Sequence, residues 1–305
     1  MTIEDFIVPA SPTLKNISDL DLEIVSERFL RDGVLLFRGF ESSVDDFYRL
    51  ANRFSVHLLV DPGQERTGGS LYDEIQSVTA GNTAINFHRE YGQGILNPDL
   101  IMFYCERPAL TDGQTTLADG VEVWDRLSEE SKAILGKTNI KYYNRHPLQG
   151  YLEYFGIPYE HGWEDELRAT LGLFGEFELK LLPDALDLTH AEYPVVMHDG
   201  CRRPCFVSSC MPGVYNLLSC ALASGGPLPA ELVSDITNAM LSRAVDVDWK
   251  ANDVLVIDNA RWFHARRSFQ GNERKILNAV GYSAFRGLPP DNFSKISRIS
   301  RAGRK

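Results

Sequence analysis

Apolar residues at helical spacing open the chain. Leu22, Val25 and Phe29 stand three or four positions apart, which predicts one buried helix face. Ser18 and Asp21 precede the run as a pair resembling a capping box, and Gly33 follows it as a stop signal. A second helix is predicted from about Val44, with Ser43 as its cap and with Phe47, Leu50 and Phe54 on one face.

Strand patterns dominate the rest of the chain. Continuous apolar runs over residues 34–39, 100–105 and 253–258 indicate buried strands. Residues 274–285 predict a further strand, whose successive side chains point to opposite faces of the sheet. Further helices are expected over 121–135 and around 232–240. Residues 147–190 show neither the helical nor the strand spacing of apolar residues and are interpreted as an insertion or lid. Since no linker divides the chain, we predict one domain over 1–305, with a β-sheet core decorated by helices.

Charge and composition limit the partners and the cellular compartment that can be expected for the protein. Acidic residues outnumber basic ones 42 to 31, a net charge of −11, which argues against a nucleic-acid partner. The basic tail over 286–305 carries six Lys/Arg and is interpreted as a solvated terminus. No apolar run approaches 18 residues and no secretory signal is visible, so no membrane partner is expected. Five cysteines, an odd number in a chain of 305, favour a reducing cytoplasm.

Three separated residues carry the first candidate chemistry. If residues 87–91 are extended, His88 and Glu90 point to one face and share a metal ion. Taken alone, the triplet favours a surface ion pair over a metal site. His264 follows a predicted strand, and two histidines with one carboxylate form the facial triad of non-haem Fe(II) oxygenases. Such a triad leaves one side of the metal open for a bidentate cosubstrate and O₂.

A cationic side chain and a hydroxyl extend this pattern. Arg274 lies ten positions after His264 across a predicted turn, where its guanidinium suits the distal carboxylate of 2-oxoglutarate. Thr116, after the Asp112-Gly113 turn, is a candidate second donor to that carboxylate. The alternatives are a sheet-edge ion pair for Arg274 and an ordinary strand threonine for Thr116. Lys275 is a weaker candidate for the role of Arg274.

Longer stretches resemble a known family. These stretches are Phe87-His-Arg-Glu-Tyr91, residues 98–109, residues 112–119, and residues 253–277, which include His264-Ala-Arg266. Together, over about residues 20–285, they resemble the taurine dioxygenase/clavaminate synthase-like family, nearest to its syringomycin-type amino-acid hydroxylases. Two positions depart from the pattern, Gln114 and Ala265 in place of glycines, and so does the stretch over 198–209.

The resemblance implies a fold and site roles. It implies a mainly β chain with a double-stranded β-helix (jelly-roll) core flanked by helices. His88, Glu90 and His264 match the iron ligands, and Arg274 and Thr116 match the residues that hold 2-oxoglutarate. His198 matches a position that is not a ligand. Glu90 also argues against halogenation, because related halogenases lack that carboxylate.

The implied reaction is oxidation, with hydroxylation expected, of an unactivated C–H bond in a small polar metabolite. An amino acid or derivative in a biosynthetic pathway is expected as substrate, with succinate and CO₂ released. Substrate contacts are expected among four residues, Arg89, Tyr91, Asn82 and Arg266, with Arg145 as a further arginine. Desaturation, epoxidation or cyclisation would use the same cofactors. A cupin-like isomerase or hydrolase and a non-catalytic binding protein are the alternatives from other classes. The oligomeric state is not predicted.

Overall fold

The computed structural model describes residues 2–60, 72–78, 81–211, 219–271 and 273–286. Seven α-helices lie within these ranges: α1 Leu22–Asp32, α2 Val44–Phe54, α3 Gly120–Arg126, α4 Glu129–Leu135, α5 Leu148–Tyr154, α6 Trp163–Leu171 and α7 Ala230–Ser242. Two short 3-10 helices, Ile3–Phe6 and Ile17–Asp19, precede α1. No helix in this part of the chain is long and apolar enough to cross a membrane.

Nineteen strands complete the described chain. The first ten are β1 Ile7–Pro9, β2 Val34–Arg38, β3 Ser55–Leu59, β4 Gln76–Ser77, β5 Ile85–His88, β6 Leu100–Arg107, β7 Thr111–Asp112, β8 Thr115–Asp119, β9 Ile140–Pro147 and β10 Phe177–Leu181. The others are β11 Ala185–Glu192, β12 Val195–His198, β13 Arg203–Phe206, β14 Ser219–Leu222, β15 Val245–Val247, β16 Val254–Asp258, β17 Trp262–Arg266, β18 Phe269–Gln270 and β19 Lys275–Ser283.

Two sheets form the core. The larger runs in the order β1-β2-β16-β6-β19-β3, with β4 also paired to β19, and the smaller runs β15-β8-β17-β5. Apolar side chains of both sheets form one buried cluster, which includes Leu36 and Ile257 of the larger sheet and Leu117 of the smaller. This is the predicted jelly-roll core, and the fold-class prediction is confirmed.

Helices cover the outer faces of both sheets. Phe29 of α1 and Phe47 of α2 pack with Phe37 and Met102 against the larger sheet. On the other side, Ile236 of α7 belongs to the cluster that includes Phe263 of the smaller sheet. Helices therefore support both sheets from outside, and the space between the sheets has rigid walls.

Local signals explain where most helices begin and end. The side chains of Ser43 and Asp46 form a complete capping box on α2, and Gly33 ends α1 with a φ of 73°. Asp21 alone caps α1, because Ser18 lies in a 3-10 helix, so the predicted Ser18/Asp21 pair is wrong. The single helix predicted over 121–135 is also wrong. Leu127 is extended there, and the Ser128 side chain caps a new helix.

Residues 147–190 are folded rather than irregular. They hold α5, α6, β10 and most of β11, and their apolar side chains form a separate cluster around Leu152, Leu167 and Leu188, joined by Ile95. Strands β10 and β11 extend a separate sheet in the order β10-β11-β9-β14. The basic tail beyond Arg286 lies outside the described residues, and so does Asn272 in the turn predicted before Arg274.

Candidate metal centre and its cavity

Strand pairing brings two distant histidines together. In the smaller sheet β17 lies between β5 and β8, and His264 of β17 stands directly opposite His88 of β5. Strand β5 ends at His88, so residues 87–91 are not extended throughout as predicted, and Tyr91 has a φ of 53°. The turn nevertheless returns the Glu90 carboxylate to the two imidazoles.

The three side chains form a compact buried group. Glu90 Oε2 lies 3.5 Å from His264 Nε2 and 3.8 Å from His88 Nε2. One ligand atom from each residue lies within 4.8 Å of the other two. Ligand atoms about 2.1 Å from a shared ion and at right angles lie about 3 Å apart, so a small inward shift would suit one divalent ion. Two imidazoles and one carboxylate are the donor set of non-haem Fe(II).

Protonation also suits metal binding. His88 Nδ1 lies 2.8 Å from the Asn86 carbonyl oxygen, so Nδ1 carries the proton and Nε2 keeps its lone pair. Burial raises the pKa of Glu90, but hydrogen bonds with His264 and His88 outweigh it and hold the pKa at about 2. Burial, followed by repulsion from His88, lowers the pKa of His264 to about 4. An anionic carboxylate and neutral imidazoles are the forms that ligate.

A buried amide holds the backbone of Glu90 in place. Asn259 Oδ1 accepts from the Glu90 N–H at 2.8 Å, and its Nδ2 donates to the carbonyl oxygens of Glu90 at 2.9 Å and Pro98 at 2.7 Å. Asn259 follows β16 and is fully buried. Sequence reasoning placed Asn259 in a family segment but gave it no role, because its contacts cross 169 positions of the chain.

The metal-binding group opens into a cavity with cationic residues. His88, Glu90 and His264 line it together with Thr115, Arg266 and Arg274. His264 pairs with Leu117 and Arg266 with Thr115 on the same two strands, so the cationic region begins about 7 Å along the sheet from the ligands. The cavity thus joins the candidate metal-binding group to two cationic side chains.

Arg274 enters this cavity without a carboxylate partner among the described residues. Its Nε donates to the Gly113 carbonyl oxygen at 3.2 Å, and its guanidinium lies 5.5 Å from the Phe269 ring centroid. Burial, followed by repulsion from Arg266, lowers the pKa of Arg274 to about 10. Both influences would be relieved by an anion in the cavity. The neighbouring Lys275 pairs with Glu106 at 2.8 Å instead.

The structure places Thr116 elsewhere. Its hydroxyl donates to Asp246 Oδ1 at 2.6 Å, away from the cavity. Thr115 lines the cavity in its place. Because side chains alternate along β8, only one of two adjacent threonines faces inward. The structure therefore places the cavity-facing hydroxyl at Thr115, one position before the predicted Thr116.

Of the four expected substrate contacts, only Arg266 lines the cavity. Its Nε and Nη2 donate to the Thr83 carbonyl oxygen at 3.2 and 3.0 Å. Arg89 is buried beside the ligands but points to Glu192, with Nη2 3.4 Å from its Oε2. Asn82 is exposed, and its carbonyl oxygen accepts from Phe269 N–H. Tyr91 is half-buried and packs against the core between the sheets.

Arg145, the further arginine, and His198, predicted not to be a ligand, both have structural partners. Arg145 is paired with Asp187 on an exposed surface, with 2.6 Å between Nε and Oδ1. His198 is buried, and its Nε2 lies 2.9 Å from Asp258 Oδ2. The structure also adds residues that the sequence did not single out, since Val78, Ile85, Phe103 and Asn278 line the cavity.

Residues 10–280 match the family described as "Taurine catabolism dioxygenase TauD, TfdA family". The chain therefore belongs to this family. The predicted class, a dioxygenase that uses Fe(II) and 2-oxoglutarate, is confirmed at the level of the family and of the donor set. The finer likeness to syringomycin-type hydroxylases stays a prediction.

Relatives and solved structures agree with this assignment. The chain is 24% identical over 272 residues to a clavaminate synthase-like protein of Arabidopsis thaliana, covering 81% of each chain. It is 23% identical over 286 residues to the dapdiamide synthesis protein DdaC of Enterobacter agglomerans, covering 85% of this chain and 83% of DdaC. Its fold is similar to that of PvcB from Pseudomonas aeruginosa, with a TM-score of 0.59, 14% identity, and 91% and 85% of the two chains covered. AAD-2 in complex with Mn(II) and N-oxalylglycine gives a TM-score of 0.57 at 18% identity, with 93% and 95% covered.

Proposed function

We propose that this dioxygenase holds Fe(II) with His88, Glu90 and His264, binds 2-oxoglutarate against Arg274, and hydroxylates a small polar metabolite. The observation that carries the proposal is Arg274. Arg274 is half-buried. A guanidinium largely withdrawn from water normally has a carboxylate partner, because an unpaired charge is costly there. Among the described residues Arg274 has none, and it faces the cavity that the metal-binding group lines.

The neighbouring residues support a dicarboxylate in this place. Arg266 adds a second positive charge, and Thr115 adds a hydroxyl on the strand opposite. With Nε fixed on the Gly113 carbonyl, the remaining guanidinium nitrogens of Arg274 are free to receive a carboxylate in the bidentate manner. The far carboxylate of 2-oxoglutarate would bind here, and its keto-acid end would reach the ligands along the sheet.

The bound metal and 2-oxoglutarate would supply the oxidation, in which O₂ is consumed, succinate and CO₂ are released, and a C–H bond becomes C–OH. The chain itself orients these components and excludes water. His88 and His264 remain neutral ligands while Glu90 supplies one negative charge. Phe103 lies over His264 with ring centroids 5.4 Å apart and keeps that side of the cavity apolar.

A neutral amide indicates the character of the substrate. Asn278 is buried, lines the cavity, and has no hydrogen-bond partner for its side chain among the described residues. Asn278 lies within β19, four positions after Arg274, which directly precedes that strand. Four extended residues span about 13 Å, which places the amide beyond the reach of a carboxylate bound at Arg274. A polar group of the substrate would satisfy this amide. The name of DdaC, a dapdiamide synthesis protein, and that of PvcB, an oxygenase from an isonitrile synthetic pathway, support a substrate from a biosynthetic pathway. Within that class, an amino acid or derivative is the substrate that we propose.

Chain-level features fit the same proposal. We infer one catalytic domain over 1–305, with residues 147–190 as an insertion whose own apolar cluster supports it as a lid. The five free cysteines support a cytoplasmic location. The net charge of −11 supports a small-molecule substrate rather than nucleic acid.

Anaerobic titration with 2-oxoglutarate tests the proposal. The Fe(II)-loaded protein should develop the visible charge-transfer absorption of a chelated keto acid. His264→Ala should abolish this absorption. Arg274→Leu should raise the apparent Kd for 2-oxoglutarate at least about tenfold, because a charge-assisted contact is lost.

Lys275→Leu is the matched control, since it removes the adjacent cation, which pairs with Glu106 outside the cavity. Its apparent Kd should remain that of wild type. Absence of the absorption in wild type, or equal weakening by the two leucine variants, would refute the assigned roles. Candidate amino acids and amides can then be screened for succinate release coupled to loss of 2-oxoglutarate.

A further inference from the structure

Trp249 touches the cosubstrate end of the cavity from outside. It lies between β15 and β16, half-buried, and packs against the apolar cluster between the two sheets. Its indole Nε1 donates to Thr115 Oγ1 at 3.1 Å. Trp249 does not line the cavity itself, so its influence on a ligand would pass through the Thr115 hydroxyl.

The hydrogen bond restricts what that hydroxyl can do. A threonine hydroxyl has one hydrogen and two lone pairs, and Trp249 N–H occupies one lone pair. Within the described chain this is the one hydrogen bond of the Thr115 side chain, so its own hydrogen still needs an acceptor. Thr115 is 5% exposed and lines the cavity beside Arg266, with which it pairs across the strands. An acceptor for this hydrogen would therefore lie in the cavity.

We propose that Trp249 is a positioning residue that fixes the Thr115 hydroxyl as a donor toward the distal carboxylate of 2-oxoglutarate. This inference rests on the proposed function. Without the indole N–H, the hydroxyl would rotate and use its hydrogen on nearby backbone oxygens, as threonine side chains do locally. The carboxylate would then keep Arg274 but lose an oriented neutral donor.

A purely structural role for Trp249 makes a different prediction. The Trp249 ring also meets Phe103 edge-on, with centroids 6.5 Å apart, and Phe103 meets His264 at 5.4 Å. If packing alone mattered, loss of Trp249 would disturb the metal end and weaken every keto acid equally. A positioning role confines the effect to ligands that carry the distal carboxylate.

The test compares two keto acids on Fe(II)-loaded, full-length protein by anaerobic visible titration. The probes are 2-oxoglutarate and 2-oxobutyrate, which has the same chelating end but no distal carboxylate. Thr115→Val should weaken 2-oxoglutarate about tenfold or more, and Trp249→Phe about three- to tenfold, in line with lost charged and neutral hydrogen bonds. Both variants should leave 2-oxobutyrate unchanged. In the Thr115→Val background, Trp249→Phe should have no further effect.

Several outcomes would overturn the inference. Equal weakening of both probes by Trp249→Phe would assign it to packing, and so would additive effects of the two substitutions. Trp249→Leu, which also removes the ring, should match Trp249→Phe for 2-oxoglutarate, and a loss seen only in the leucine variant contradicts the proposal. If Arg274→Leu weakens 2-oxoglutarate but Thr115→Val does not, this inference fails while the proposed function stands. If wild type binds neither keto acid, the proposed function fails as well.

Discussion

Replacing Asn259 by alanine should loosen the metal centre without changing a ligand. The Asn259 side chain makes three hydrogen bonds, two with Glu90 and one with the Pro98 carbonyl oxygen. All three lie in the interior, so water cannot readily replace them. At about 1 kcal/mol net for each bond, the free energy of unfolding should fall by about 3 kcal/mol.

The effect on metal affinity follows from the position of Glu90. Its carboxylate reaches the two histidines from a turn after β5, and the Asn259 amide clamps the N–H and C=O of that turn. Partners that orient a ligand typically contribute 10- to 100-fold in metal affinity, so a loss of about tenfold or more is expected. Anaerobic calorimetric titration with Fe(II), and with Mn(II) as an air-stable substitute, measures this loss. Urea denaturation of the metal-free protein measures the stability term.

A second buried asparagine provides the matched control. Asn144 of β9 donates one hydrogen bond, at 2.9 Å, to the Gln93 carbonyl oxygen. Asn144→Ala should cost about 1 kcal/mol of stability and leave Fe(II) affinity unchanged. If Asn259→Ala keeps wild-type metal affinity while losing stability, or if both variants lose affinity alike, the clamp does not position Glu90.

Three further results are expected. Burial lowers the pKa of His190, stacked on Tyr142, from 6.5 to about 4. Because the unfolded state binds this proton first, the free energy of unfolding should fall by about 3 kcal/mol as pH falls from 6.5 to about 4. Urea denaturation of His190→Phe should show a shallower fall over this pH range, and an equally steep fall would refute the reasoning. Gly113→Ala should cost about 1–2 kcal/mol of stability and weaken 2-oxoglutarate binding, since φ is 72° and the added Cβ would lie 3.3 Å from Arg274 Cδ. A wild-type melting temperature in a thermal melt, or a wild-type Kd for 2-oxoglutarate, would contradict this. Thr116→Val should leave the Kd for 2-oxoglutarate unchanged, because that hydroxyl is bonded to Asp246, and a tenfold loss would return Thr116 to the cavity.

The three residues of the candidate metal centre could be singled out from the sequence, because their signals are local and their joint pattern is specific. His88 and Glu90 stand two apart beside a strand, and His264 follows a long apolar run. The approach of Arg274 to the cavity could also be predicted, since the turn signal at Gly271-Asn272 directly precedes the alternating segment that Arg274 opens. These inferences needed only strand periodicity and the chemistry of the side chains.

Other features depend on information that a single sequence does not carry. Thr115 and Thr116 differ only in which face of β8 they occupy, and a shift of one position reverses that face. The break between α3 and α4 depends on Ser128 acting as a cap inside an otherwise helical pattern. Asn259, Trp249 and Asn278 gain their roles through contacts between strands far apart in sequence. No local pattern distinguishes them from ordinary polar or aromatic residues.

The wide separation of the ligands along the chain has a consequence for biosynthesis. His88 and Glu90 leave the ribosome long before His264, which lies 176 positions after His88 (264 − 88), and Arg274 follows later still. The strand that carries His264 inserts between β5 and β8, so the smaller sheet closes only when the C-terminal third arrives. A nascent or truncated chain therefore presents two of the three ligands and lacks the cationic residues of the cavity. With the proposed ligand set, iron capture and any oxidising activity would be restricted to chains whose synthesis is nearly finished.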